Sequence, residues 1–93
     1  MRIYIAGKIS GDKEYRKKFD AIYDHLIHKY GCPVYNPAKQ PEGLSYKEYL
    51  YNGIDLLKNC NVIYMIKGWE DSKGARAEHA IAVALGYKII YES

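Results

Sequence analysis

Asn61-Val62-Ile63-Tyr64-Met65-Ile66, running on through Lys67-Gly68-Trp69-Glu70-Asp71-Ser72-Lys73-Gly74-Ala75-Arg76-Ala77-Glu78, is the stretch that decides the fold. Its first six residues are nearly continuous in apolar side chains, the pattern of a parallel strand covered on both faces. Residues 67–73 form a loop, and an Ala-rich helix is predicted over residues 74–85, with Gly86 as its stop signal. Beyond it, residues 87–91 read as a last strand. Upstream, Tyr46, Tyr49, Leu50, Ile54 and Leu57 recur at helical spacing, and Ser45 with Glu48 has the capping-box spacing. Pro33-Val34-Tyr35 reads as a brief strand ended by Asn36-Pro37, and residues 38–45 as loop. Tyr15, Phe19, Ile22, Tyr23, Leu26 and Ile27 mark a long amphipathic helix that stops at Gly31, with Asp12 or Ser10 as its expected cap. Ile3-Tyr4-Ile5-Ala6 is a short strand ending at Gly7.

The order is β-α-β-α-β-α-β. It predicts a small single-domain α/β fold spanning residues 1–93, a Rossmann-like or flavodoxin-like parallel sheet with helices on both faces. In open sheets of this kind, ligands bind outside the carboxyl ends of the strands. Three loops occupy that edge, over residues 7–11, 36–45 and 67–73, so the address of a site is set before any motif is consulted.

Composition excludes several classes of function. The formal net charge of +3 is scattered, and Arg16-Lys17-Lys18, the densest basic run, lies inside the first amphipathic pattern. No nucleic-acid polymer is therefore expected as partner. No apolar run approaches membrane-spanning length, and Met1-Arg2-Ile3 leads straight into fold-like sequence, so a cytoplasmic protein without membrane contact is expected. Cys32 and Cys60 form no CxxC and read as small apolar residues. His25, His28 and His79 lack companions for a metal site. No cofactor is expected either, because Gly7-x-x-x-Gly11 is not GxGxxG and no GxxxxGK[ST] occurs. Tyrosine is over-used, with eleven Tyr against one Phe and one Trp. Codon bias is one account of this, and half-wet interfaces or pocket walls are the other.

The chemistry-bearing residues gather at the strand-to-helix junction. Ser72 and Gly74 stand where free amides and the helix dipole favour an anion, although Ser72 also suits a plain N-cap. Glu78 lies six residues past Ser72 in a helix otherwise built of small and apolar residues, so its carboxylate faces either water or the strand-edge pocket. Trp69 is either core packing under the sheet edge or a wall for a base or sugar.

Ile3-Tyr4-Ile5-Ala6-Gly7, Asn36-Pro37-Ala38, Cys60-Asn61-Val62-Ile63-Tyr64-Met65 and the block from Gly68 to Ala75 followed by Glu78 closely resemble domains of the DUF4406 type. Those domains are similar to the nucleoside 2-deoxyribosyltransferases and the 2'-deoxynucleoside 5'-phosphate N-hydrolases. The resemblance implies a small-molecule nucleotide or nucleoside as partner and Glu78 as the nucleophile that attacks the anomeric carbon, with Tyr4 positioning it. It also implies a 5'-phosphate held by Ser72 and Gly74, with the Gly7-Lys8-Ile9 turn and Gly11 around it and Trp69 nearby. A homodimer or higher homo-oligomer is expected on the same ground. Two departures stand out: Asn61 replaces an aspartate, and Gly53 replaces the aspartate that assists the leaving base. Asp55 is about 200° around the helix from Gly53 and cannot substitute for it. Two functions follow. One is an N-glycosidase or deoxyribosyl-transfer enzyme acting on a nucleoside 5'-monophosphate. The other is a catalytically weak or inactive nucleotide-binding module.

Overall fold

The computed structural model describes residues 1–93. Strand β1 (Ile3–Ala6) leads through a glycine-containing turn into helix α1 (Tyr15–Tyr30), and then comes β2 (Val34–Tyr35). Helix α2 (Tyr46–Leu57), strand β3 (Val62–Met65), helix α3 (Lys73–Ala84) and strand β4 (Lys88–Tyr91) complete the chain. The four strands form one sheet in the order β2-β1-β3-β4, and every pairing is parallel. The α/β reading and its alternation of elements therefore hold.

The register explains the layers. Ile3 pairs with Val62 and Tyr4 with Ile63, so side chains alternate in step across β1 and β3. Ile3, Ile5, Val62 and Tyr64 point to the face covered by Phe19, Ile22 and Leu26 of α1. Tyr4, Ala6, Ile63 and Met65 point to the other face, under Leu57 of α2 and Ala75 and Ala82 of α3. The chain moves from β1 outward to β2, then returns past β1 to β3. With crossovers of one hand, that reversal puts α1 on one face and the later helices on the other. The carboxyl ends of β1 and β3 thus lie at the switch in strand order.

Local chemistry fixes the ends of the elements. Ser45 caps α2 through a full capping box: its hydroxyl accepts from Glu48 N at 3.2 Å, and Glu48 Oε1 accepts from Ser45 N at 3.0 Å. Gly31 ends α1 in the left-handed conformation. The expected cap of α1 is corrected. Neither Asp12 nor Ser10 occupies the cap position, which falls to Glu14 without a side-chain bond. Asp12 instead closes a tight turn by accepting from Glu14 N at 2.9 Å, while its other oxygen pairs with Lys18 at 2.8 Å. The loops before α2 and α3 are also not wholly irregular, for each contains a single 3₁₀ turn, at Pro37–Lys39 and Trp69–Asp71. No helix is long and apolar enough to cross a membrane.

Candidate active site

Tyr4 sits in the middle of β1, and its side chain runs along the face that α3 covers. Glu78 lies on α3 at 7% exposure, so the helix presents a carboxyl group to the interior rather than to water. The two meet: the Tyr4 hydroxyl donates to Glu78 Oε2 at 2.5 Å. That is the short end of the range for a hydroxyl on a carboxylate. Burial pushes the Glu78 carboxyl up to about 7, with the Tyr4 hydrogen bond pulling the other way. Burial and the neighbouring carboxylate hold the Tyr4 phenol well above its usual range, so it stays a donor. Oε2 is engaged, whereas Oε1 makes no hydrogen bond within the chain, and Glu78 lines an open cleft.

The cleft takes up about 520 Å³ including its mouth and the open solvent there. The turn after β1 contributes Gly7, Ile9 and Ser10. The loop after β2 contributes Pro37 and Gln40, and the first half of α2 contributes Tyr46, Tyr49 and Leu50. The start of α3 contributes Ser72, Gly74 and Ala75. All are at the carboxyl ends of the strands, as the topology requires.

Two glycines are needed for close approach. A Cβ on Gly7 would lie 2.9 Å from Ile66 Cβ, so only glycine lets the turn after β1 press on the end of β3. A Cβ on Gly53 would lie 2.5 Å from Glu78 Oε2 and 2.7 Å from Tyr4 Oη. The backbone of α2 therefore closes directly on the Tyr4–Glu78 pair from behind. Gln40 is unusual in another way: its Oε1 is buried with no hydrogen-bond partner.

A second recess adjoins the mouth, lined by Lys8, Ser10, Tyr46, Asp71, Ser72 and Lys73. Ser72 caps α3 by accepting from Ala75 N at 3.1 Å, which leaves its hydroxyl proton free to donate. The amides of Lys73 and Gly74 have no acceptor within the chain. Free amides, the helix dipole and two lysines make this end of the site attractive to an anion. Nowhere does the fold gather three or more His, Cys, Asp or Glu side chains that could hold a metal ion.

A model of the family described as "Domain of unknown function (DUF4406)" matches residues 1–91. The chain belongs to the DUF4406 family. No curated protein matches the sequence of this DUF4406 domain. Among solved structures, it is similar to 2-deoxyribosyltransferase from the psychrotolerant bacterium Bacillus psychrosaccharolyticus, with a TM-score of 0.69 at 16% identity. The match covers 98% of this chain and 71% of that one. At that identity the likeness shows a shared fold.

Of the site residues expected for this DUF4406 domain, Tyr4, Gly7, Ile9, Ser72, Gly74 and Glu78 line the inner cleft, and Lys8 lines the recess beside it. Gly11 and Trp69 do not. Gly11 turns the chain away toward α1 in a positive-φ conformation. Trp69 stacks on His79, with ring centroids 4.4 Å apart, and packs against the core of the second face. Ser72 is the N-cap of α3, and the same side chain lines the cleft. Gln40, Tyr46 and Tyr49 were missed. The two tyrosines fit the apolar stripe of α2, yet the start of that helix overhangs the cleft and only Gly53 and Leu57 of α2 are buried. The available signal was position: Gln40 lies in one of the three loops at the ligand-binding edge.

Proposed function

We propose that this domain is an N-glycosidase or deoxyribosyl-transfer enzyme acting on a nucleoside 5'-monophosphate. The observation that carries the reading is the buried Glu78, held through Oε2 by Tyr4 at 2.5 Å beneath a cleft whose mouth attracts anions. Glu78 Oε1 attacks the anomeric carbon as the bond to the base breaks, giving a glycosyl ester on the enzyme. Water or a second base then displaces the carboxylate. A carboxylate suits an oxocarbenium-like transition state because it opposes the developing positive charge and later leaves again. Ser72, the amides of Lys73 and Gly74, and Lys8 hold the 5'-phosphate. Gln40, with its unpaired acceptor, reads an N–H on the base edge. A nucleotide-binding module that does not turn over is the second reading, favoured by the presence of one carboxylate and no more in the inner cleft.

Incubation with the four deoxynucleoside monophosphates, following free base by chromatography, tests the proposal. The expected result is base release by the native chain, lowered by on the order of 10³-fold or more in Glu78→Gln. Release that persists undiminished in the variant overturns the nucleophile assignment. Binding by calorimetry without release from any nucleotide supports the binding module.

A further inference from the structure

The site is electrically divided, and within the N-glycosidase reading, on which this inference rests, the division selects a class of substrate. The inner cleft contains one carboxylate, Glu78, and no Lys, Arg or His. Tyrosine rings at positions 46 and 49 form part of its wall, and Gln40 Oε1 is a buried acceptor without a donor. The outer recess has the opposite character, with Lys8 and Lys73 beside the amino end of α3. Asp71 stands among those lysines, in the outer recess and not in the inner cleft.

Breaking an N-glycosidic bond to a neutral base requires that the base leave as an anion or receive a proton as it goes. A positioned acid contributes about 10²–10⁴-fold to such a step. The inner cleft provides no carboxylic acid besides the nucleophile. The Tyr4 hydroxyl is committed to Glu78, and the Tyr49 hydroxyl donates to Pro41 O at 2.8 Å. Behind the pair, the space for another acid is closed by Gly53, where even a Cβ would lie 2.5 Å from Glu78 Oε2.

A base that already carries a positive charge needs no acid. We propose that the substrate is a nucleoside 5'-phosphate whose base bears a fixed positive charge conjugated with its glycosidic nitrogen, such as a pyridinium or an N-alkylated purine. An oxygen lone pair of Glu78 forms the new bond to the anomeric carbon. The electron pair of the C–N bond passes to the ring, cancels its charge, and the base departs neutral. Water then attacks the same carbon, the ester bond returns its electrons to the carboxylate, and the proton of the water goes to solvent. Binding follows the same division: the cationic ring meets tyrosine faces and a carboxylate, and the phosphate meets the lysines.

The test compares matched leaving groups on the full chain: 2'-deoxyguanosine 5'-monophosphate and its N7-methyl derivative, with nicotinamide mononucleotide as a pyridinium. Each rate is expressed as an acceleration over that nucleotide's own spontaneous release, because the methylated base is intrinsically the better leaving group. The methylated nucleotide is expected to be accelerated at least as much as the unmethylated one, since no acid assists the neutral base. An acceleration of the unmethylated nucleotide larger by about 100-fold or more, the contribution of a positioned acid, overturns the inference while leaving the N-glycosidase function intact. A fall in neutral-base release in Tyr46→Phe also overturns it, because Tyr46 would then be the acid. Release from no nucleotide at all, charged or neutral, removes both the function and the inference.

Discussion

The two faces of the sheet bury cores of similar size, nine residues under α1 and eight under α2 and α3, so their difference is one of chemistry. Under α1, β1 and β3 place Ile3, Ile5, Val62 and Tyr64 against Phe19, Ile22 and Leu26, and no charged side chain intrudes. Under α2 and α3, the same two strands place Tyr4 beside a buried carboxyl group. One face holds the molecule together. The other gives up part of that stabilisation to keep Glu78 out of water, where its proton affinity is raised.

The sharpest way to break the comparison is to damage the first face. Leu26 is fully buried against the sheet, and Leu26→Ala is expected to destabilise the fold by about 2–5 kcal/mol. Activity per folded molecule should stay unchanged. Thermal melting followed by circular dichroism, with base release normalised to folded protein, checks both halves. Lost activity at constant folded fraction would mean that the faces are not separable.

The second face should respond with the opposite sign. An unfolded glutamate releases its proton near about 4.3, whereas folding raises Glu78 to about 7. Between those values the folded state keeps a proton that the unfolded state has lost. Stability is therefore fully present below the lower value and falls as pH rises through the upper one. The sum is about 4 kcal/mol by pH 8. Glu78→Gln carries no such burden while keeping an oxygen for Tyr4 to donate to. It is expected to melt higher than the native chain by on the order of 10 °C at pH 8 and alike at pH 4. Equal melting at pH 8 would show that the carboxylate is not held against its ionisation. Under the proposed function an attacking carboxylate must be ionised, so base release should climb through about pH 7.

The two faces were not equally legible in the sequence. Short apolar runs bounded by turn residues placed the strands, and a spacing of three to four placed the α-helices, because most of the chain obeys the simple rule of apolar residues inward. Glu78 could be seen as an exception on its helix, and the family resemblance is what suggested a nucleophile there. Its partner Tyr4 was legible through that resemblance alone, since a tyrosine in a strand looks like any other core residue. Tyr46 and Tyr49 showed only as members of a helical stripe, which cannot tell a neighbouring sheet from an overhanging cleft. Trp69 was half-assigned to the ligand because a loop tryptophan gives no sign of its direction, and it stacks on His79 instead. Gly53 was read as a lost acid. Its second role, as the point where α2 touches the pair, depends on the angle between two helices and has no trace in local sequence.

Gly53→Ala refines the comparison with the smallest expected change in stability. Alanine is the better helix former by about 1 kcal/mol, which offsets much of the roughly 1–3 kcal/mol that overpacking costs. The melting temperature should therefore move little. The new methyl group nevertheless has nowhere to go, lying 2.5 Å from Glu78 Oε2 and 2.7 Å from Tyr4 Oη, so either the carboxylate swings or α2 backs away. A displacement of about 1 Å at a reacting atom costs on the order of 10²-fold in rate. The expected variant is folded, nearly as stable as the native chain, and about 100-fold slower in base release. Retained activity would show that the carboxylate reaches its working position without α2, and that the close approach at residue 53 serves packing alone.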